Sequence, residues 1–251
     1  MGELKEIPAG LLTDESGYSF TGIQAPDWVQ EIDSFFAGRD VCLMANPLFR
    51  TSANLCRRIG DLDLYSQWLK NALASNPSPW WSATFATSLL VGYFSTGKSL
   101  LDAGSIAVNL LFSLSLSFKE QDFSKGRFWN KLNEANTNVN RRLLAHRKFI
   151  DRVVKWRDVA VHRLPPRVFV LSDGPLSKPP ESVTQQEVRL GVPDNPEVNP
   201  VYNPEMAEQI NWVHPNDLVQ DFGRGFHKFA AEVADLIVTS EESEALLVSG
   251  S

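Results

Sequence analysis

The chain has 251 residues, 43% of them hydrophobic, enough to bury a sizeable core as one large domain or one domain carrying an insertion. Its formal charge of −6 and pI near 5.3 argue against attraction of the whole surface to nucleic acid or anionic membrane. Its two cysteines, Cys42 and Cys56, have no His or Cys at metal-ligand spacing and read as reduced thiols of a cytoplasmic protein, with no metal or cofactor expected. The opening Met1-Gly2-Glu3-Leu4-Lys5-Glu6 lacks the basic and apolar regions of a signal peptide. The most apolar stretch, residues 89–118, is interrupted by Lys98, Asp102 and Asn109, which suits a buried helix rather than a membrane span.

In chain order, residues 1–26 lack periodicity and read as an irregular arm. Trp28, Ile32, Phe35 and Phe36 fall at helical spacing behind Asp27, a candidate N-cap. Leu55, Ile59, Leu62, Tyr65, Trp68, Leu69 and Leu73 form a second helical stripe, broken by Ser75-Asn76-Pro77-Ser78-Pro79. From Trp80 to about Leu116 the apolar residues are so dense that the helix must be enclosed on most sides. After a polar connection, helical spacing resumes near Phe128 and is strongest from Val139 to Arg163, which reads as one continuous helix. Pro165-Pro166 stops it.

Residues 167–172 then read as a strand, with residues 182–190 as its hairpin partner. Nine of the 15 prolines lie between Pro165 and Pro204, marking 165–204 as a surface insertion. Pro215-Asn216-Asp217 opens a last helix with Leu218, Phe222, Phe226, Phe229, Val233 and Leu236 on one stripe. The tail 240–251 is acidic and Ser-rich. The expected domain is helical, spanning 27–164 and 205–239, with the insertion between.

Charge is segregated along the chain. Between Arg141 and Arg167 nine Lys or Arg face only Asp151 and Asp158, an electrostatic footprint suited to a polyanion. Within that segment Arg157-Asp158-Val159-Ala160-Val161-His162-Arg163 sets a guanidinium, a carboxylate and an imidazole at a helix end. Asp158 and His162, four apart, share one face of an α-helix, so the carboxylate should orient the imidazole for proton transfer. Arg157 projects about 100° away on an α-helix and should frame the cleft from the side, without stacking beneath His162. Its paired donors and permanent charge suit a phosphorane. The same run would also serve as an ordinary cation-rich helix end.

Arg157-Asp158-x-x-x-His162 resembles the Arg-x(4–6)-His signature of the HEPN superfamily. The preceding apolar helix with Ser99-Leu100-Leu101-Asp102-Ala103 and Asn109, then Asp122-Phe123, is similar to the context of that signature. The resemblance covers residues 50 to 238. It implies an all-α, HEPN-like helical bundle, here with a β-hairpin and Pro-rich insertion before the last helix. It further implies a homodimer lining one cleft with two motifs, and metal-independent RNA cleavage by 2′-hydroxyl attack, leaving a 2′,3′-cyclic phosphate. On that reading His162 is the general acid or base, Arg157 the phosphate stabiliser and Asp158 the polar partner, with Lys155 and Arg163 binding RNA. A defence or toxin–antitoxin role, with an antitoxin or regulatory protein as partner, would fit. Other members of the superfamily are non-catalytic and bind nucleotides or proteins.

Two further patterns compete. Arg141-Arg142-Leu143-Leu144-Ala145-His146 repeats the spacing 16 residues upstream, turned about 160° from the later pair on a straight helix. Gly92-Tyr93-Phe94-Ser95-Thr96-Gly97-Lys98-Ser99 fits the Walker A pattern of a P-loop NTPase, which demands a strand before it and a parallel sheet. The small residues there also suit close helix contact. His214 and His227 read as packing or capping residues, and the tryptophans as anchors of the core or an interface.

Overall fold

The computed structural model describes residues 26–37, 46–75, 78–163, 167–172, 182–184, 186–198 and 210–240. Expectations for residues 1–25, Cys42, Pro165-Pro166, the turns at 173–180 and the tail from 241 lie outside them. Seven α-helices occur among the described residues: α1 (Asp27–Ala37), α2 (Pro47–Ser75), α3 (Pro79–Leu111), α4 (Gly126–Ala135), α5 (Thr137–Leu144), α6 (Arg147–Asp158) and α7 (Pro215–Thr239). A π-helical turn, Val159–Arg163, extends α6. The chain is thus mostly helical, and no described helix is long and apolar enough to cross a membrane.

α3 is the centre. It packs antiparallel along α2 and against α7 and α6, burying 17 of its 33 residues. Small side chains let its neighbours come close. A Cβ on Gly97 would sit 2.2 Å from Cζ of Phe226, and one on Gly104 would sit 2.9 Å from the ring of Phe229. Phe222, Phe226 and Phe229 of α7 are fully buried over this face, each contributing roughly 2–3 kcal/mol of apolar burial. The Tyr93 hydroxyl, also enclosed, donates to the Val219 carbonyl at 2.9 Å and fixes the register of α3 on α7.

This packing decides the Walker A pattern. Gly92 to Ser99 is the middle of α3, with no strand before it, and its glycines lie under Tyr65 and Phe226. The P-loop reading is therefore wrong for this chain; small residues were selected by helix proximity.

Helix ends follow local chemistry. Asn46 accepts from the Phe49 amide at 3.0 Å ahead of Pro47, so α2 starts earlier than its apolar stripe suggests. Asp27 lies in the first turn of α1 rather than capping it. The region expected to be helical from near Phe128 to Arg163 is divided. Asn136 interrupts between α4 and α5 and caps α5 through the Val139 amide. A turn at Ala145-His146 separates α5 from α6. The rotation argued for Arg141 and His146 on a straight helix consequently does not apply. His146 packs edge-on to Phe229 at 5.8 Å, and that burial pushes its imidazole below the ordinary value.

The insertion forms a small antiparallel sheet of strands β1 (Phe169–Leu171), β2 (Arg189–Pro193) and β3 (Trp212–Val213), in that order. Two expectations are corrected. The partner of β1 is centred on Gly191, not on residues 182–190, with Phe169 opposite Gly191 and Leu171 opposite Arg189. Leu171 and Trp212 crowd over Gly191, which any Cβ would obstruct. Thr184 and Glu187 are instead tied to each other, the Thr184 amide and hydroxyl both donating to the Glu187 carboxylate. The second correction is β3, whose pairing with Val192 and Pro193 lies inside the segment expected to be helical. The Val168 amide donates to Thr87 Oγ1 at 3.0 Å and anchors the sheet on α3.

Gly97→Val should lower unfolding stability by about 2–3 kcal/mol through overpacking against Phe226. Gly60→Ala, where a Cβ meets nothing within 4 Å, should raise it by up to about 1 kcal/mol. Denaturant melts of the two variants beside the parent chain measure both.

Candidate functional site

The chain from Trp156 to Arg163 is held on α3 by a stacked aromatic pair. Trp156 lies parallel to Phe94 with ring centroids 4.7 Å apart, and Val159 and Ala160 continue the buried strip. After Asp158 the backbone turns π-helical, bonding i→i+5.

That turn overturns one expectation about the motif. In an α-helix residues five apart diverge. Here one Arg157 Nη lies 2.7 Å from His162 Nε2, so the pair faces directly. The same nitrogen donates to Asp158 Oδ1 at 3.1 Å. Among the described residues Asp158 therefore bonds the guanidinium and does not bond His162; its assigned role as the orienter of the imidazole passes to Arg157. The guanidinium has only donors, so a hydrogen bond between the two takes Nε2 as its acceptor. The result is an imidazole nitrogen beside a fixed positive charge, both reachable from solvent.

A second charged group lies beside it. The Lys98 ammonium, only 14% exposed, bridges Asp102 on its own helix and Asp122 at 3.3 Å in the connection to α4. Burial pushes the Asp102 carboxyl above its ordinary value, against the opposing pull of Lys98 and the Arg157 guanidinium. Burial works against ionisation of Asp122 too. The Ser124 amide, 2.7 Å away, and Lys98 nevertheless hold its carboxyl below the usual range. Charges in an otherwise apolar helix were the available signal for this network, and in the sequence they served only to argue against a membrane span. Asn109, the third such interruption, braces the loop after α3 by accepting from the Leu116 amide.

The basic footprint is largely spent within the molecule. Arg142 pairs with Glu232 and Asp235, and Arg152 with Asp221, all on α7. Arg147 pairs with Asp151. Lys155 and Arg163 both meet Glu197, in the turn after β2, at 2.8 and 3.5 Å. Sequence offered no sign of Glu197. His214 caps α7 by accepting from the Asn216 amide, and His227 pairs with Asp63 of α2 at 2.9 Å, away from the motif.

Compared with known proteins, the chain matches no family model, no curated protein and no solved structure.

Asp122→Asn should destabilise the fold at neutral pH by about 1 kcal/mol, the scale of a lost charge-assisted hydrogen bond. Because the folded carboxyl titrates below the ordinary 3.8, the advantage of Asp122 is fully present above that value. It is lost as pH falls through the depressed folded value. Urea melts of both chains from pH 7 down to pH 3 should show a constant difference above 3.8 that begins to narrow below it.

Proposed function

We propose that the chain is a HEPN-like, metal-independent endoribonuclease in which Arg157 and His162 do the chemistry. The observation that carries the reading is the 2.7 Å approach of the Arg157 guanidinium to His162 Nε2 in an exposed π-helical turn. Such local π segments, which strain the regular ladder, recur at functional positions.

The roles follow from the atoms. A phosphodiester replacing the imidazole as the guanidinium's partner places its scissile phosphorus beside His162. Nε2, carrying no proton, takes the proton of the adjacent ribose 2′-hydroxyl as that oxygen attacks phosphorus. The bond to the 5′-oxygen breaks, and that oxygen takes the proton that His162 has just accepted, which returns the imidazole to its neutral form; in the homodimer two copies of the motif line the same cleft. The products are a 2′,3′-cyclic phosphate and a 5′-hydroxyl. Arg157 neutralises the charge that builds on the phosphorane oxygens. Asp158 accepts from the same guanidinium nitrogen, and Asp102, paired with Lys98, feels the guanidinium's charge.

A second reading, a non-catalytic module that binds a nucleotide or protein, draws on the compensation of the basic segment. Arg142 and Arg152 are engaged by acids of α7 and serve packing, leaving less free positive charge for a polyanion than composition suggests.

Incubation with total RNA in excess chelator separates the two. The parent chain should cleave, leaving 2′,3′-cyclic phosphate ends. His162→Ala and Arg157→Ala, each confirmed folded by circular dichroism, should lose roughly 10²–10⁴-fold in rate. Equal cleavage by all three chains would sink the assignment of these residues, and absence of cleavage by the dimeric parent chain would favour the non-catalytic reading.

A further inference from the structure

Lys155 and Arg163 flank Arg157 and His162 in the sequence, one on α6 and one at the end of the π-helical turn. A single carboxylate spans them: Lys155 Nζ meets one oxygen of Glu197 at 2.8 Å, and an Arg163 Nη meets the other at 3.5 Å. Glu197 is set in place by its own turn. Its amide donates to Asn195 Oδ1 at 3.2 Å, the Val198 amide donates to the Asn195 carbonyl, and Asp194 is bonded to Asn211 at the foot of β3. The Lys155 ammonium holds the Glu197 carboxyl below the usual carboxylate range.

This contact differs from the other pairs of the basic segment. Arg142 and Arg152 meet acids of α7, so those pairs link helices of the bundle. Glu197 comes from a surface turn and can leave without disturbing a helix. A carboxylate and a phosphodiester present the same pair of anionic oxygens to two cations. Exposed ion pairs of this kind contribute little to stability, so a polyanion that also gains counterion release exchanges for one readily.

Resting on the ribonuclease reading above, we propose that Lys155 and Arg163 form a phosphodiester seat flanking the reactive pair. The Glu197 carboxylate occupies that seat as an internal mimic, and single-stranded RNA displaces it. Glu197 thereby sets a threshold: a lone phosphate gains too little to displace it, whereas a strand contacting several cations at once does.

Binding of a short 2′-O-methyl oligouridine, followed by fluorescence anisotropy, tests this apart from cleavage, because the blocked 2′-oxygen cannot attack. Glu197→Gln should tighten binding about two- to fivefold, the range of an exposed pair. The gain should vanish when Glu197→Gln is placed on Lys155→Ala/Arg163→Ala. Glu134→Gln, the same charge change beside Lys131 on α4, should leave affinity unchanged. An equal gain with and without the two cations, or from Glu134→Gln, would reduce the effect to net charge and overturn the proposal. No gain from Glu197→Gln would overturn it as well. Should no form bind the oligouridine while total RNA is still cleaved, the seat falls and the ribonuclease reading stands.

Discussion

Close approach along α3 is the constraint from which the candidate site follows. Gly97 and Gly104 let Phe226 and Phe229 of α7 press onto the helix backbone, and the Tyr93 hydroxyl locks the register through Val219. Phe94, on the next face, then offers a flat surface to Trp156, and Phe222 closes the cluster edge-on to both rings. Once Trp156, Val159 and Ala160 are seated on α3, the remaining positions of that turn, from Arg157 to Arg163, have nowhere to go but outward. The π-helical turn that follows Asp158 brings Arg157 and His162 together. Packing fixes where the motif lies; the i→i+5 bonding of the turn fixes how its side chains face.

Electrostatics near the motif is a matter of local pairing rather than of net charge. An acidic chain carries one basic segment, yet four of its nine cations are matched by acids brought in from α7 and from the turn after β2. Two kinds of pairing result. Those of Arg142 and Arg152 link helices to α7, whereas Lys155 and Arg163 meet a carboxylate from a surface turn and Arg157 meets its own neighbour Asp158. A buried lysine between two carboxylates completes the surroundings, with Asp102 and Asp122 driven in opposite directions by burial and by hydrogen bonding.

Much of the helical layout was legible in the sequence because it rests on periodicity. The stripe from Leu218 to Leu236 and the density of residues 89–111 both describe burial, and burial is what the sequence encodes most directly. Breaks within a helical stretch were harder. Asn136 and the Ala145-His146 turn interrupt a pattern that hydrophobic spacing alone carries straight through, since both sides of each break bury the same face. Strand register was missed for a similar reason: Gly191 is central to the sheet because Leu171 and Trp212 cover it, a tertiary fact with no local signature.

At the site, the residues were legible and their geometry was not. Spacing put Asp158 beside His162 on an α-helix, and one change of backbone hydrogen bonding gave that place to Arg157. The Lys98 network and Glu197 depend on segments far apart in the chain, so no spacing rule reaches them.

The central claim is that Arg157 and His162 form one unit that receives a phosphodiester. The most direct test is ¹⁵N NMR of the His162 ring, recorded near neutral pH for the parent chain and for Arg157→Ala, with and without the 2′-O-methyl oligouridine. The account predicts a neutral ring protonated on Nδ1, an Nε2 signal that shifts when Arg157 is removed, and a shift on adding the oligonucleotide that requires Arg157. A ring protonated on Nε2, or one indifferent both to Arg157→Ala and to the oligonucleotide, would contradict it.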